Sequence, residues 1–286
     1  SLEVVILAAG KGTRMRSKLP KVLHPLAGKP MGQRAIEAAA DTGAEKIHVV
    51  IGHGADDVKA RIDHPMVSWA LQEEQKGTGH AVAQAMPQVA DDATVLVTYG
   101  DVPLVASETL RRVVDACDDN TLVLLTAILD DPTGYGRIVR NDAGEVQAIV
   151  EQKDASEEQL AIQEVNTGML ALKASYLKQW LPLLSSDNAQ GEYYLTDIIA
   201  MAVADSFSIA VAHPKDLIEI QGINSRRQLQ EVERALQHQR ALQLMDEGVG
   251  LADAQRLDIR GELSADSDCF IDINCVFEGT VTLGHH

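Results

Sequence analysis

Lys11, Arg14, Arg16, Lys18 and Lys21 place five positive charges within eleven residues, with no acidic residue among them. They follow Leu7-Ala8-Ala9-Gly10 and flank Gly12. A turn of small residues lets the backbone approach a ligand closely. Its N–H groups can donate to phosphate oxygens, and Arg and Lys add charge-assisted hydrogen bonds. The chemistry indicated is polyphosphate binding. The apolar run Val4-Val5-Ile6-Leu7 that feeds the turn reads as a buried parallel strand, so the charges stand at a strand end. A basic surface loop is the bland alternative. It does not explain why the charges sit directly behind a buried strand and a glycine turn.

Three phosphate-binding patterns compete. The P-loop pattern G-x-x-x-x-G-K-[ST] is missing here. The dinucleotide pattern G-x-G-x-x-G fails at Met15, where its third glycine would stand. The third pattern, L-A-A-G-x-G-T-R-M followed by Pro20-Lys21, resembles the signature of sugar nucleotidyltransferases.

The 286 residues suffice for a full core and for more than one domain. A net charge of -17 argues against a nucleic-acid or anionic-membrane surface, and makes the basic cluster a local exception. No apolar run approaches a membrane span, and no signal peptide is read. Cys117, Cys269 and Cys275 are odd in number and lack CxxC spacing, so a reducing cytoplasm is the expectation.

The elements that must position the cluster follow from periodicity. Strands are expected at Ile47–Ile51, Val67–Ala70 and Thr94–Tyr99, with helices at Met31–Ala40, Asp56–Ile62 and from Gly79 to Ala85. This alternation indicates an open parallel α/β sheet, in which ligands sit at the carboxyl ends of strands. Leu7 to Lys21 and Tyr99-Gly100-Asp101 fall there. Leu122–Ile128, Gly136–Val139 and Gln147–Val150 read as more antiparallel strands, with a hairpin turn at Asn141-Asp142-Ala143-Gly144. Gly168–Leu172 and Phe207–Ala212 add strands, with a helix at Leu195–Ala204. From Arg226 to about Met245 the chain reads as a helix burying Leu229, Val232 and Leu236. Beyond it, Ile271, Phe277 and Leu283 repeat every six residues, as do Cys269, Cys275 and Val281. This is the period of a parallel β-helix, in which the two cysteines serve as small apolar rungs.

Further segments extend the nucleotidyltransferase resemblance. They are Lys21-Val22-Leu23-His24, Gln72 to Ala81, Tyr99 to Leu104, Gly134 to Ile138, Ile149-Val150-Glu151, Glu164 to Gly168 and Gly222 to Arg226, in that order. Together with the opening motif they resemble the bacterial bifunctional N-acetylglucosamine-1-phosphate uridyltransferase / glucosamine-1-phosphate acetyltransferase family, almost end to end. The resemblance implies a Rossmann-like α/β nucleotidyltransferase fold with a mostly parallel sheet over residues 1–225. It implies a linker helix over 226–249 and the start of a left-handed β-helix over 250–286. The implied reaction joins UTP to N-acetylglucosamine 1-phosphate, giving UDP-N-acetylglucosamine, a precursor for peptidoglycan and lipopolysaccharide, and pyrophosphate. Another sugar-1-phosphate nucleotidyltransferase, or a catalytically dead nucleotide-sugar sensor on the same fold, are the alternatives.

The same resemblance assigns roles. Arg14 and Lys21 serve the triphosphate, with Lys11 and Arg16 as lesser candidates. Asp101 and Asn224 hold Mg²⁺, which needs few protein oxygens beside phosphates and water. For Asp101 the alternative is a turn cap, and for Asn224 a helix N-cap before Ser225-Arg226. Uracil falls to Gln72, Gly77 and Thr78, with substrate contact from Leu7, Ala8, Ala9 and Gly10; otherwise Gln72 is an exposed polar residue beside Glu73 and Glu74. The sugar falls to Gly136, Glu151 and Asn166, with Tyr99, Gly100 and Thr167 near; a surface acid is the alternative for Glu151. His24, His53 and His80 form no ligand constellation, and His24 reads as structural.

Two departures stand out. Gly32 replaces the larger apolar residue usual in the family, and Leu251–Arg256 lacks the usual Asp-Pro. Ser1 and the closing His285-His286 suit a fragment that stops about one coil into the β-helix. The expectation for such a fragment is uridylyl transfer without acetyl transfer, and a weakened form of the family's homotrimer.

Overall fold

A computed structural model describes residues 1–285; His286, half of the closing pair, lies outside the described residues. The chain begins with β1 (Leu2–Leu7), a short hairpin of β2 (Pro25–Leu26) and β3 (Lys29–Pro30), and α1 (Met31–Ala40). Next come β4 (Lys46–Ile51), α2 (Ala55–Arg61), β5 (Val67–Leu71), α3 (Thr78–Ala85), β6 (Thr94–Tyr99) and α4 (Ser107–Asp115). The middle holds β7 (Thr121–Ile128), β8 (Arg137–Arg140), β9 (Val146–Val150), α5 (Glu157–Leu160) and β10 (Glu164–Lys173). Then follow α6 (Ala174–Trp180), α7 (Ile198–Ala204), β11 (Ser208–Ala212) and the long α8 (Arg226–Asp246). The chain closes with β12 (Gly250–Leu251), β13 (Leu257–Ala265), β14 (Phe270–Ile271) and β15 (Cys275–Leu283).

The main sheet has strand order β11-β7-β10-β6-β1-β4-β5, with the β8–β9 hairpin attached to β10. β5, β4, β1 and β6 run parallel, whereas β10 is antiparallel to both β6 and β7. The expected parallel first half and antiparallel middle are therefore both present. β1 is buried along its whole length. Val5 and Leu7 face one apolar layer with α3, α6 and α7, while Val4 and Ile6 face another with α1, α2 and α4. Burial on both faces is why β1 carries a continuous apolar run rather than an alternating one. The chain runs outward from β1 to β4 and β5 and then crosses back to β6, so β4 and β6 lie on opposite sides of β1. This is the place where an α/β sheet opens a crevice beyond its strand ends.

The start of α1 accounts for Gly32. A Cβ there would stand 2.8 Å from Ile62 Cδ1 and 3.2 Å from Val22 Cβ. The missing side chain lets the first turn of α1 close on Val22, within the turn that carries Lys21. α4 and α6 were not expected from the sequence. α4 buries only Thr109, Leu110 and Val113, and charged residues interrupt its pattern.

α8 ties the two parts of the chain together. Val232 is fully buried with Leu26, Met31 and Ile223, and Leu229 and Leu236 pack against them, as the periodicity predicts. Gln237 is 1% exposed. Its amide donates to Ile259 O and accepts from Ile259 N, both at 2.8 Å, which pins β13 to the helix. β13 pairs in parallel with β15 from Leu257↔Cys275 to Ala265↔Leu283, a repeat of three hexads. These strands fit the start of a parallel β-helix. Cys269 is buried and Cys275 partly buried in the apolar cluster beneath the coil, so both are rungs. The hexad phase begins earlier than Cys269. Leu251, Leu257 and Leu263 precede it in the same phase, so strands are already stacked on two levels.

One buried pair braces the end of the sheet away from the crevice. Glu3 and His48 are each 2% exposed. Glu3 Oε1 meets His48 Nε2 at 2.7 Å, and Glu3 Oε2 accepts from the Ala90 N–H at 3.0 Å. Burial raises the Glu3 pKa, but the hydrogen bonds and the nearby positive charge outweigh it, leaving it below the ordinary 4.5. A depressed carboxyl stabilises the fold above its unfolded pKa, and that contribution is lost as pH falls through the folded value. Glu3→Gln is therefore expected to lower stability at pH 7 by about 1–3 kcal/mol. Denaturant titrations should show the gap to the unsubstituted chain closing below pH 4.5. A gap that stays constant from neutral pH into acid would contradict the assignment.

Candidate active site

The crevice holds two cavities that meet at Tyr99 and Asp101. The first, about 240 Å³, is lined by Leu7, Ala8, Ala9 and Gly10 from the end of β1, and by Lys21, Gln72, Gln75, Gly77, Thr78 and Glu192. The second, about 350 Å³, is lined by Arg14, Thr133, Gly134, Tyr135, Thr167, Gln221 and Asn224. Parallel pairing sets Leu7 beside Tyr99, so the ends of β1 and β6 open together.

Lys21 stands at the junction. Its Nζ donates to Asp101 Oδ2 at 2.8 Å and to Asn224 Oδ1 at 2.9 Å. Gly12 makes room for its stem: a Cβ there would lie 2.8 Å from Lys21 Cβ, and its φ is +61°. Ile223 N–H donates to Asp101 O, and Arg226 Nε donates to Met15 O, so the start of α8 grips both the β6 end and the glycine turn. The helix cap is Ser225, whose hydroxyl accepts from Gln228 N–H. This overturns the N-cap alternative for Asn224 and leaves its side chain free to face the cavity.

Asp101 and Asn224 thus aim hard oxygens at one positive charge, held here by the Lys21 ammonium. Among the described residues no three His, Cys, Asp or Glu side chains group around a common point. A divalent cation at this place takes few oxygens from protein and the rest from phosphate and water.

The exposed-residue alternative for Gln72 fails, although Glu73 to Lys76 beside it are exposed. Gln72 is 2% exposed. Its Nε2 lies 2.9 Å from His80 Nδ1 and 3.4 Å from Gly77 O. The Thr78 hydroxyl accepts from Leu195 N–H at 3.0 Å, so it is committed to holding the neighbouring segment. Of that segment, residues 192–197, the sequence reading covers only 195–197, as the start of a helix, and gives 192–194 no role. Tyr193 N–H donates to Lys76 O, and Gly79 N–H donates to Tyr193 O, both at 2.8 Å. Gly77 has φ +112°, and a Cβ there would lie 2.6 Å from Tyr193 O, so glycine is required for this contact. The only sequence signal was Gly191 followed by Glu192-Tyr193-Tyr194, which resembles an ordinary loop.

Farther along the same segment, the Thr196 hydroxyl donates to Glu151 Oε1 at 3.1 Å. Burial pushes the Glu151 carboxyl above its ordinary value; the Thr196 bond opposes this, and Asp197 and Asp154 add to it. Gly136 O accepts from Asn166 N–H at 2.9 Å, and a Cβ on Gly136 would lie 3.4 Å from Glu151 Oε1. Asn166 Oδ1 is buried with no hydrogen-bond partner among the described residues. Gly136, Glu151 and Asn166 therefore form one group beside Tyr99, whose hydroxyl is pushed far above its ordinary value by burial and then by Asp101 and Glu151. Gly100 lies beneath, against Ala8 and Val22. Lys11 lines an adjoining depression with His53 that shares Gln72 and Gln75 with the first cavity, and Arg16 is exposed outside all three. His24 is buried under the Lys21 turn, in keeping with a structural role.

Residues 4–251 match the MobA-like NTP transferase domain. Bifunctional protein GlmU of Marinobacter nauticus is 60% identical over the whole chain, which spans 63% of that protein. Bifunctional protein GlmU of Chromohalobacter salexigens is 56% identical over 99% of the chain and 62% of its own length. Among solved structures, UDP-glucose pyrophosphorylase complexed with UDP-glucose aligns with a TM-score of 0.67 at 19% identity, covering 83% of this chain and 99% of that one. A nucleotidyl transferase from Methanothermobacter thermautotroptrophicus aligns with a TM-score of 0.58 at 20% identity, covering 81% and 95%. These two likenesses concern the fold. With the domain match extending from β1 into β12, the chain belongs to the MobA-like NTP transferase family.

Proposed function

We propose that the chain transfers uridylyl from UTP to N-acetylglucosamine 1-phosphate, giving UDP-N-acetylglucosamine and pyrophosphate in the cytoplasm. The observation that carries this reading is the meeting of Lys21, Asp101 and Asn224 where two cavities join. The first cavity suits a nucleotide; the second, with Arg14 and Asn224, suits phosphate, and the Gly136, Glu151 and Asn166 group beside Tyr99 lines neither. The extensive identity to proteins named GlmU supports the choice of substrates. The chain spans less than two thirds of the length of those relatives, and the longer protein assembles as a homotrimer.

The sugar phosphate attacks the α-phosphorus of UTP and pyrophosphate departs. A phosphate monoester has a second pKa near ~6, so it is already a nucleophile at neutral pH and needs no general base. The protein's contribution is alignment and charge neutralisation. Lys21 and Arg14 face the phosphates from the two sides of the junction. Backbone from Leu7 to Gly10 takes the nucleotide, and Gln72 with the Gly77 backbone reads its base. Gly136, Glu151 and Asn166 take the sugar, with the unpartnered Asn166 Oδ1 ready to accept a hydroxyl or amide hydrogen. Asp101 and Asn224 would hold Mg²⁺, which supplies neutralisation of the phosphate charge when bound.

Asp101→Ala should lower pyrophosphate release from UTP and N-acetylglucosamine 1-phosphate by about a hundredfold or more. The melting temperature should stay within a few degrees, because Asp101 supports no core packing. Near-normal turnover at saturating Mg²⁺ would remove Asp101 from the reaction. Glu151→Gln should raise KM for the sugar phosphate while leaving KM for UTP nearly unchanged. Because burial raises the Glu151 pKa above its ordinary 4.5, the ratio of variant to unsubstituted KM should already shrink toward one as pH falls toward 4.5. A ratio that holds steady with pH would show that the ionised carboxylate is not what binds.

A further inference from the structure

His80 lies on α3 and does not line either cavity. Its Nδ1 is nevertheless 2.9 Å from Gln72 Nε2, and Gly77 O lies 3.4 Å from the same nitrogen. A side-chain amide nitrogen carries two hydrogens. One points to the Gly77 carbonyl and the other to Nδ1, so both are used inside the protein. Gln72 Oε1 takes no hydrogen bond from the described residues and is the end left for a ligand.

We propose that His80 is a positioning residue that holds the Gln72 amide with its oxygen toward the nucleobase, and so sets the preference for uracil over cytosine. The proposal rests on the uridylyl reading above. Uracil carries a hydrogen on N3, whereas cytosine carries a lone pair there. An amide oxygen matches the first and repels the second. An unrestrained Gln would lose this distinction, because a half-turn of its amide presents NH₂ to the cytosine N3. Only a pinned amide discriminates, and Nδ1 pins it only while it lacks a proton.

The surroundings define the competing arrangement. Gln84 Nε2 donates to His80 O at 3.0 Å and lies 3.3 Å from the ring Nε2. A ring protonated on Nδ1 would accept from Gln84 at Nε2 and would require Gln72 to reverse. That reversal sets the Gln72 oxygen against the Gly77 carbonyl and turns NH₂ toward the ligand. The Gly77 carbonyl therefore favours the observed arrangement, and the ring proton decides between the two. Burial, and then Lys76, lower the His80 pKa from 6.5, while Glu74 acts in the opposite direction. Gln72 also borders Lys21, Tyr99, Asp101 and Glu192 in the first cavity and Lys11, His53, Glu73 and Glu74 in the adjoining depression. At neutral pH the ring is unprotonated and the oxygen faces outward. In acid both ring nitrogens donate, and Nδ1–H can meet only the Gln72 oxygen.

The test measures kcat/KM for UTP and CTP from pH 8 to 5.5, with N-acetylglucosamine 1-phosphate. The sugar phosphate titrates in this range as well, but the UTP/CTP ratio cancels its effect. The unsubstituted chain should lose about fivefold or more of its UTP preference as the ring protonates. His80→Leu should show the reduced preference already at pH 8, and independent of pH. His80→Asn places an oxygen near the former Nδ1 position and does not titrate, so it should keep the preference across the range. A merely structural His80 would lower kcat/KM for both nucleotides together and leave the ratio alone. An unchanged ratio in His80→Leu, or a lost preference in His80→Asn, overturns the proposal. Calorimetric affinities for UTP and CTP read the same ratio without turnover. Failure of the unsubstituted chain to release pyrophosphate from either nucleotide would instead sink the uridylyl reading.

Discussion

The site depends on one ammonium group held by two oxygens from distant parts of the chain. Lys21 comes from the turn after β1, Asp101 from the end of β6, and Asn224 from the entry to α8. None of these contacts is local, so each is a constraint on the tertiary fold. The parallel pairing of β1 with β6 sets the first two side by side. The third arrives because Ile223 N–H bonds Asp101 O and Arg226 reaches back to Met15 O. Remove any of these and the two cavities lose their common wall. Lys21 and Asp101 form a partly buried pair, 12% and 23% exposed, whose value lies in placing charge rather than in net stability.

A second constraint links the first cavity to the Glu151 side of the crevice. Residues 192–197 bond Lys76, Gly79 and Thr78 at one end and Glu151 at the other. One short segment therefore sets the depth of the first cavity and the orientation of a carboxylate beside Tyr99. The parallel half of the sheet supplies the phosphate end, and the antiparallel half carries Gly136, Glu151 and Asn166. The segment holds the two halves at a fixed spacing.

Much of this was legible in the residues. β1, β4 and β6 are short apolar runs that can only be buried on both faces, and the basic cluster stands at the first of their ends. β10 was read only from Gly168 onward, because Glu164 and Asn166 are polar and its pairing with β7 shifts between Asn166 and Leu170. α4 was missed because its charged positions mask a narrow buried stripe. Glu73 and Glu74 left an exposed Gln72 as the alternative reading; burial of a polar side chain depends on partners such as His80 that periodicity does not reveal. The choice between Asn224 and Ser225 as helix cap turned on one residue of register, which capping preference alone does not resolve because both types cap well. Gly32 had no account until Val22 and Ile62 were seen packed above it. The hexad was noticed at Cys269, although Leu251, Leu257 and Leu263 carry the same phase, because the charged residues among them hide the repeat.

The oxygens of Asp101 and Asn224 hold the Lys21 ammonium, and the proposed reaction requires the same position to take a phosphate-bound divalent ion. Anomalous diffraction from crystals grown with UTP and Mn²⁺ tests it directly. The account predicts a manganese peak bonded to oxygens of both Asp101 and Asn224, with Lys21 Nζ moved onto a phosphate oxygen. A peak bonded to neither side chain, with Lys21 still between them, would contradict it.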